Sequence, residues 1–227
     1  MIVNKKLNCG VRIVMEEIPY VRSVSIGIWV KAGAVDETAK NSGISHFIEH
    51  MLFKGTEKRS AKKIAEDVDK IGGQINAFTG KEATCYYLKT LSDNIDKAAD
   101  ILIDMFLNSK FDEEEMEKEK RVICEEIKMI EDSPEDYAHD IISELIFKGT
   151  PLAKSVIGTP KSLQGITRKA VKRYIEEEYT RDNIIVSVCG SFDQDHVCEL
   201  FDSKLIALKA HKTPKQHEDA EYKPRFK

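Results

Sequence analysis

Several features that define whole classes of protein are absent from this sequence. No apolar run reaches the roughly 18 residues that a membrane-spanning helix requires. No apolar segment follows the N-terminal residues Met1–Lys6, so a secretory signal is not expected either. The sequence therefore indicates a cytoplasmic protein without a membrane span.

The cysteines and the basic residues also lack the patterns that indicate a disulfide framework or a nucleic-acid-binding surface. The five cysteines occur singly, with no C-x-x-C pair, which is typical of reduced packing residues rather than of a disulfide framework. The 35 Lys and Arg residues are interspersed with 39 Asp and Glu residues and form no basic stripe. No nucleic-acid partner is expected.

The apolar content, 41% of 227 residues, is ample for a buried core. Alternating apolar residues predict strands at 11–14 and 24–30, and a hairpin is predicted over 74–91 with its turn at Gly80. Helices are predicted to begin at Ser42 and Ser60, each acting as an N-terminal cap. Further predicted elements are helices at about 92–107, 112–131, 133–147 and 167–178, a strand at 184–189 and a helix after Asp193.

These strands and helices come in unequal runs, which favours the α+β class over a regular alternation of strand and helix. The expected architecture is a mostly antiparallel sheet packed against helices. Residues 1–208 are predicted to form one domain, and the charged, nearly apolar-free segment 209–227 is predicted to be a linker or tail.

The most informative motif is His46-Phe47-Ile48-Glu49-His50, which lies in the first predicted helix. Two histidines four residues apart share one helix face, so both imidazoles can reach a single Zn²⁺. Glu49, on a neighbouring part of that face, can reach a water bound to the metal. This H-x-x-E-H order inverts the commoner H-E-x-x-H order of zinc peptidases.

A catalytic zinc usually takes a third protein ligand. On the predicted helix 112–131, Glu119 and Glu126 point within an apolar arc, whereas Glu125 and Glu131 project outside it. The apolar members of that arc are Met116, Val122, Ile123, Ile127, Met129 and Ile130. A carboxylate in such a stripe is costly unless it is paired, protonated or bound to a cation, which favours Glu126 as the third ligand. The alternative, a solvated acidic helix, stays open on periodicity alone.

The chain resembles the pitrilysin/insulinase family of inverted-motif zinc peptidases, in the branch similar to the mitochondrial processing peptidase. The matching segments extend over most of the chain. They are 43–56 around the motif, 72–79 (GGQINAFT), 119–126, the Gly-Thr-Pro of 158–160, and 179–183 (YTRDN).

The resemblance implies one zinc per chain with His46, His50 and Glu126 as ligands, Glu49 as general base and Glu119 as a carboxylate that orients a ligand. It also implies that a peptide substrate adds as a strand beside Asn76, Ala77 and Phe78. Phe53 matches a residue lining the pocket after the cleaved bond. Asp136 and Asp140 match acidic positions that receive a basic substrate side chain.

Members of this branch carry a second, similarly folded domain that closes over the metal. The sequence is accordingly interpreted as the N-terminal half of a zinc endopeptidase, completed by that domain or by a partner chain, and it is compatible with a homo-oligomer. The alternative is a noncatalytic metal-binding or assembly subunit of the same fold. A noncatalytic subunit is expected to have lost some of the residues needed for hydrolysis. This sequence retains all five of them: His46, Glu49, His50, Glu119 and Glu126.

Overall fold

A computed structural model describes residues 1–210, and within this range six strands form one sheet in the order β1-β2-β6-β3-β5-β4. Their bounds are β1 Ile2–Lys6, β2 Arg12–Glu17, β3 Ser23–Val30, β4 Gln74–Thr79, β5 Thr84–Leu91 and β6 Ile184–Gly190. All neighbouring pairs are antiparallel except β2 and β6, which run parallel. The α+β class, the mostly antiparallel sheet and the 74–91 hairpin are confirmed. β1 was not predicted.

Helices in the same range are α1 Ile44–Leu52, α2 Ala61–Lys70, α3 Ile95–Asn108, α4 Glu113–Asp132, α5 Pro134–Ile146, α6 Pro160–Gly165, α7 Arg168–Glu178 and α8 Gln194–Leu205. Among the described residues, none of these helices is both long and apolar enough to cross a membrane. The predicted linker 209–227 lies almost entirely outside the described residues.

Alternation along β3 explains how the sheet carries the helices. Val24, Ile26, Ile28 and Val30 are at most 1% exposed, because they face the helical layer. Trp29 points to the other face and remains 36% exposed. Strand residues of one parity therefore build the core, as a sheet covered mainly on one face requires.

Helix α1 is anchored in the core through Ile44, Phe47 and Ile48, all of which are fully buried. The expectation that Ser42 caps this helix is wrong. The capping residue is Gly43, in a left-handed conformation (φ 85°), and the Glu37 carboxylate accepts hydrogen bonds from the backbone N–H groups of Gly43 (2.6 Å) and Ser45 (2.9 Å). An acidic side chain from outside the helix thus satisfies its N-terminal N–H groups.

Helix α4 faces the core with a narrower stripe than the sequence predicts. Met116, Ile123 and Ile127 are buried, and so is Glu119. Val122 and Met129, placed in the same arc by periodicity, are 50% and 72% exposed. The buried stripe is narrower because α4 packs mainly against α1 and α5, and Val122 and Met129 are left outside these contacts.

The N-terminus of α1 packs closely against the loop that contains Gly158. Gly158 has φ +79°, and a Cβ built on it would lie 2.5 Å from the Ser42 carbonyl oxygen and 2.9 Å from Gly43 Cα. Gly72 also has positive φ (+61°), but a Cβ there would meet nothing within 4 Å among the described residues.

Gly158→Ala is expected to destabilise the protein more than Gly72→Ala. Both variants pay about 1 to 2 kcal/mol for the left-handed backbone. Only Gly158→Ala must also push a carbonyl group aside, which adds about 1 to 3 kcal/mol. Chemical denaturation of both variants measures the difference. Equal losses would contradict a tight contact between this loop and α1.

Candidate metal centre

Helix α1 presents His46 and His50 to one side, as their four-residue spacing dictates. Their ring centroids lie 4.6 Å apart. The imidazoles are mostly shielded from solvent, with side-chain exposures of 13% and 23%. The predicted pairing of the two histidines on one face is therefore present in the structure.

Helix α4 brings Glu126 to the same place. Its Oε1 lies 3.8 Å from His46 Nε2, and its Oε2 lies 3.6 Å from His50 Nε2. Ligand atoms about 2.1 Å from a tetrahedral zinc stand about 3.4 Å apart, so these separations need only small adjustments. Two imidazole nitrogens and a carboxylate oxygen, all within 4.8 Å of one another, fit a catalytic zinc.

The protonation state of His46 suits a metal ligand. Burial lowers its pKa to about 4, and the neighbouring His50 acts in the same direction. The imidazole is therefore neutral near neutral pH and has a lone pair to offer. Its Nδ1 is buried and has no hydrogen-bond partner within residues 1–210.

Glu119 lies behind His50 rather than in the ligand set. Its Oε2 is 3.0 Å from His50 Nδ1, and its side chain is 5% exposed. A carboxylate on the remote nitrogen of a histidine fixes the ring orientation and the tautomer. This is the ligand-orienting position that the resemblance implies for Glu119.

Glu49 projects beside the ligands and is held by the end of β4. The Thr79 hydroxyl donates to Glu49 Oε2 at 2.5 Å. Burial raises the pKa of Glu49 and the Glu126 charge adds to the rise, while the Thr79 hydrogen bond and His50 oppose it. Glu49 is thus a carboxylate with an elevated pKa within reach of the candidate metal position.

His46, Glu49 and Glu126 line a cleft of about 290 Å³ between α1, α4, β4 and the loop that contains Ser155 and Ile157. Of the predicted substrate-binding residues, Ala77, Phe78 and Asp140 line this cleft. Three others lie outside its lining. Phe53 lies at the C-terminal end of α1, Asn76 lies on the edge strand β4, and Asp136 lies in the first turn of α5.

Three residues that support the site were not identified from the sequence. Thr79 binds Glu49, Lys54 binds Glu119 (2.5 Å), and Glu37 caps the metal-bearing helix. Thr79 and Lys54 lie inside segments that carry the family resemblance, which is the one signal that pointed to them. Glu37 has no local signature, because its partners depend on how the chain folds back.

The profile of the insulinase family, peptidase family M16, matches residues 12–160. The chain belongs to this family, and the resemblance seen in its motifs is confirmed. It is 47% identical over 195 residues to the uncharacterized zinc protease YmxG of Bacillus subtilis, covering 85% of this chain and 48% of YmxG. It is 35% identical over 210 residues to the β-subunit of the mitochondrial-processing peptidase of Dictyostelium discoideum. That match covers 92% of this chain and 45% of the β-subunit.

Two solved structures share the fold of this chain. A protease from Helicobacter pylori superimposes with a TM-score of 0.87 at 25% identity, covering 98% of this chain and 54% of that protein. An inactive M16 peptidase domain from Pseudomonas fluorescens has a TM-score of 0.89 at 16% identity, which shows the fold alone. The chain spans about half the length of the relatives it matches.

The stability of the chain should depend on pH through Glu37. Burial raises the pKa of Glu37 to about 7 from an ordinary 4.5, despite its bonds to two backbone N–H groups. The folded state then holds a proton that the unfolded state has released. The free energy of unfolding should therefore fall by up to about 3 kcal/mol as pH rises from 4.5 to 7.

Denaturation of the wild type and of Glu37→Gln across this pH range tests the assignment. Gln cannot titrate, so the stability of Glu37→Gln should change less with pH than that of the wild type. Parallel profiles for the two proteins would show that Glu37 does not titrate in this window.

Proposed function

We propose that this chain is the zinc-binding half of an endopeptidase that hydrolyses peptides or unfolded protein segments. One observation carries the proposal: ligand atoms of His46, His50 and Glu126 converge within 4.8 Å, and the Glu49 carboxylate lines the same cleft. Relatives named zinc proteases support zinc as the metal. A second domain or partner chain is proposed to complete the enzyme, because this chain covers only 48% of YmxG.

Bound at these side chains, a Zn²⁺ ion would supply Lewis acidity, lowering the pKa of a water ligand and polarising the scissile carbonyl. Glu49 is assigned the proton transfers. Its Oε2 is held by Thr79, which leaves Oε1 to take a proton from the attacking water and return it to the leaving amine. Its raised pKa favours this role, since a general base works best when its pKa approaches the working pH.

The substrate main chain is proposed to add along β4, an edge strand of the sheet. The backbone N–H of Ala77 donates to the Asn76 side chain (Oδ1, 2.8 Å). An incoming strand would take over that N–H and release the Asn76 amide for a further hydrogen bond. Phe78 would contact the substrate from the same strand, since it lines the cleft.

Asp140 is the acidic residue proposed to receive a basic substrate side chain. It lines both the metal cleft and an adjoining cavity of about 240 Å³ that has Ile127 and Ile141 in its wall. An apolar wall beside a carboxylate suits the long stem and charged head of Arg or Lys. Lys81 also lines this cavity; burial lowers its pKa, and the Asp140 charge opposes that shift.

The noncatalytic alternative predicts a metal-binding or assembly role without hydrolysis. The solved inactive M16 domain shows that the fold also occurs without activity. The intact set of ligands with Glu49 held beside them favours the peptidase for this chain.

Glu49→Gln is expected to keep zinc and lose hydrolysis. The amide preserves the shape of the side chain but cannot accept a proton, so cleavage of a quenched peptide library should fall roughly 100-fold or more. Activity should be measured on the chain alone and on the chain supplied with the second half of YmxG. Zinc is quantified by elemental analysis.

Two neighbouring glutamates provide the matched controls. Glu126→Gln should lose zinc, whereas Glu125→Gln, which removes an exposed carboxylate paired with Lys128 (2.7 Å), should keep both zinc and activity. Full activity in Glu49→Gln would eliminate the proposed mechanism. A completed enzyme that binds zinc and cleaves nothing would favour the noncatalytic subunit.

Asp140→Asn should reduce the preference for Arg near the cleaved bond about two- to fivefold, the range expected for a solvent-accessible ion pair. Asp136→Asn is the matched comparison, because Asp136 lies one turn earlier on α5 and outside the lining of both cavities. Cleavage-site profiling of both variants measures the effect. If only Asp136→Asn changes the profile, Asp140 is the wrong residue.

A further inference from the structure

A nearly buried carboxylate joins the candidate metal centre to a lysine. Glu119 Oε2 lies 3.0 Å from His50 Nδ1, and Glu119 Oε1 lies 2.5 Å from Lys54 Nζ. The other nitrogen of His50, Nε2, faces Glu126 at 3.6 Å. Lys54, Glu119, His50 and Glu126 therefore form one continuous series of polar contacts.

Lys54 and Glu119, the two partners of this ion pair, both have a backbone that is held in place by hydrogen bonds or by a helix. Lys54 lies two residues beyond the last residue of α1, and its backbone N–H donates to the Met51 carbonyl at 3.1 Å. Glu119 lies on α4 between the buried residues Met116 and Ile123. The Lys54 side chain is 31% exposed, so its ammonium reaches Glu119 from the surface.

Lys54 brings a positive charge to a group of acidic side chains. Glu49, Glu119 and Glu126 place three carboxylates around the two imidazoles. A bound dication balances two negative charges, and Lys54 balances the third. Without Lys54, Glu119 would lose the cation that holds one of its oxygens and would be free to leave His50.

We propose that Lys54 is a positioning residue for the metal centre: it holds Glu119 Oε1, so that Oε2 stays on His50 Nδ1 and His50 Nε2 points at the metal position. The inference rests on the metal site of the proposed function but not on hydrolysis. Among the described residues, Glu119 is the carboxylate with which Lys54 Nζ forms an ion pair, so Lys54 acts through Glu119.

If Lys54 positions Glu119, removing its charge should weaken Zn²⁺ binding. If Lys54 acts only through its charge, removing that charge should strengthen Zn²⁺ binding. Removing a positive charge near a cation site raises the attraction for Zn²⁺, so a lysine without a positioning role would yield tighter binding in Lys54→Met. Loss of positioning yields weaker binding, because the ring of His50 is no longer fixed.

The dissociation constant for Zn²⁺ should be measured on the metal-free 227-residue chain by competition with a chromogenic chelator. Lys54→Met is expected to bind about 10-fold more weakly, the lower end of the effect of losing a partner of a metal ligand. Lys54→Arg, which keeps an ion pair with Glu119, should stay within roughly threefold of the wild type. Lys58→Met is the matched control, since it removes an exposed positive charge four residues away.

A double-mutant cycle shows whether Lys54 acts through Glu119. In a Glu119→Gln background, Lys54→Met should cause no further weakening, because the contact it supports is already lost. Thermal unfolding of the metal-free proteins checks folding, and Lys54→Gln replaces Lys54→Met if the latter does not fold.

Equal or tighter binding by Lys54→Met, equal weakening by Lys58→Met, failure of Lys54→Arg to recover affinity, or additive effects in the double mutant would each overturn the inference while leaving the proposed function intact. A wild-type chain that binds no Zn²⁺ would overturn both. Zinc binding without hydrolysis by the completed enzyme would count against the proposed function alone.

Discussion

The site depends on holding helices α1 and α4 at a fixed separation while three carboxylates share one partly buried space. Apolar packing supplies the attraction: Phe47 and Ile48 of α1 and Ile123 of α4 are fully buried. Glu126 then stands 3.6 to 3.8 Å from two imidazole nitrogens. The carboxylates repel one another, so this arrangement is most stable when a cation lies among them. Packing and charge thus both favour a bound metal.

The contacts that seat α1 also shape the cleft. Glu37 binds the first N–H groups of the helix, and the Lys154 ammonium donates to the carbonyls of Val35 and Glu37. Lys154 belongs to the loop that reaches the cleft at Ser155 and Ile157 and then meets the helix at Gly158. One set of local contacts therefore fixes both the direction of the metal-bearing helix and one wall of the space beside it. A disturbance of this loop acts on both.

Local periodicity predicted the parts of the site that lie within single elements. The four-residue spacing of His46 and His50 requires one helix turn, and the helical angle separates Glu126 from Glu125, so both features follow from short sequence windows. The remainder depends on contacts between elements. Ser42 has the chemistry of a cap, yet the distant Glu37 carboxylate takes that role. Val122 and Met129 fit the apolar arc of α4 but remain exposed, because burial depends on what packs there.

The two histidines are held by different interactions, so different kinds of substitution should disturb each of them. His50 is oriented by a polar contact, the carboxylate of Glu119 on its Nδ1. His46 Nδ1 has no such partner within residues 1–210, so packing fixes its ring. A metal ligand usually keeps a hydrogen bond on its remote nitrogen. Core substitutions around α1 should therefore act mainly through His46, whereas changes in the charged residues beside α4 should act mainly through His50. Under the proposed function, metal affinity is therefore expected to depend on core packing through His46 and on nearby charged residues through His50.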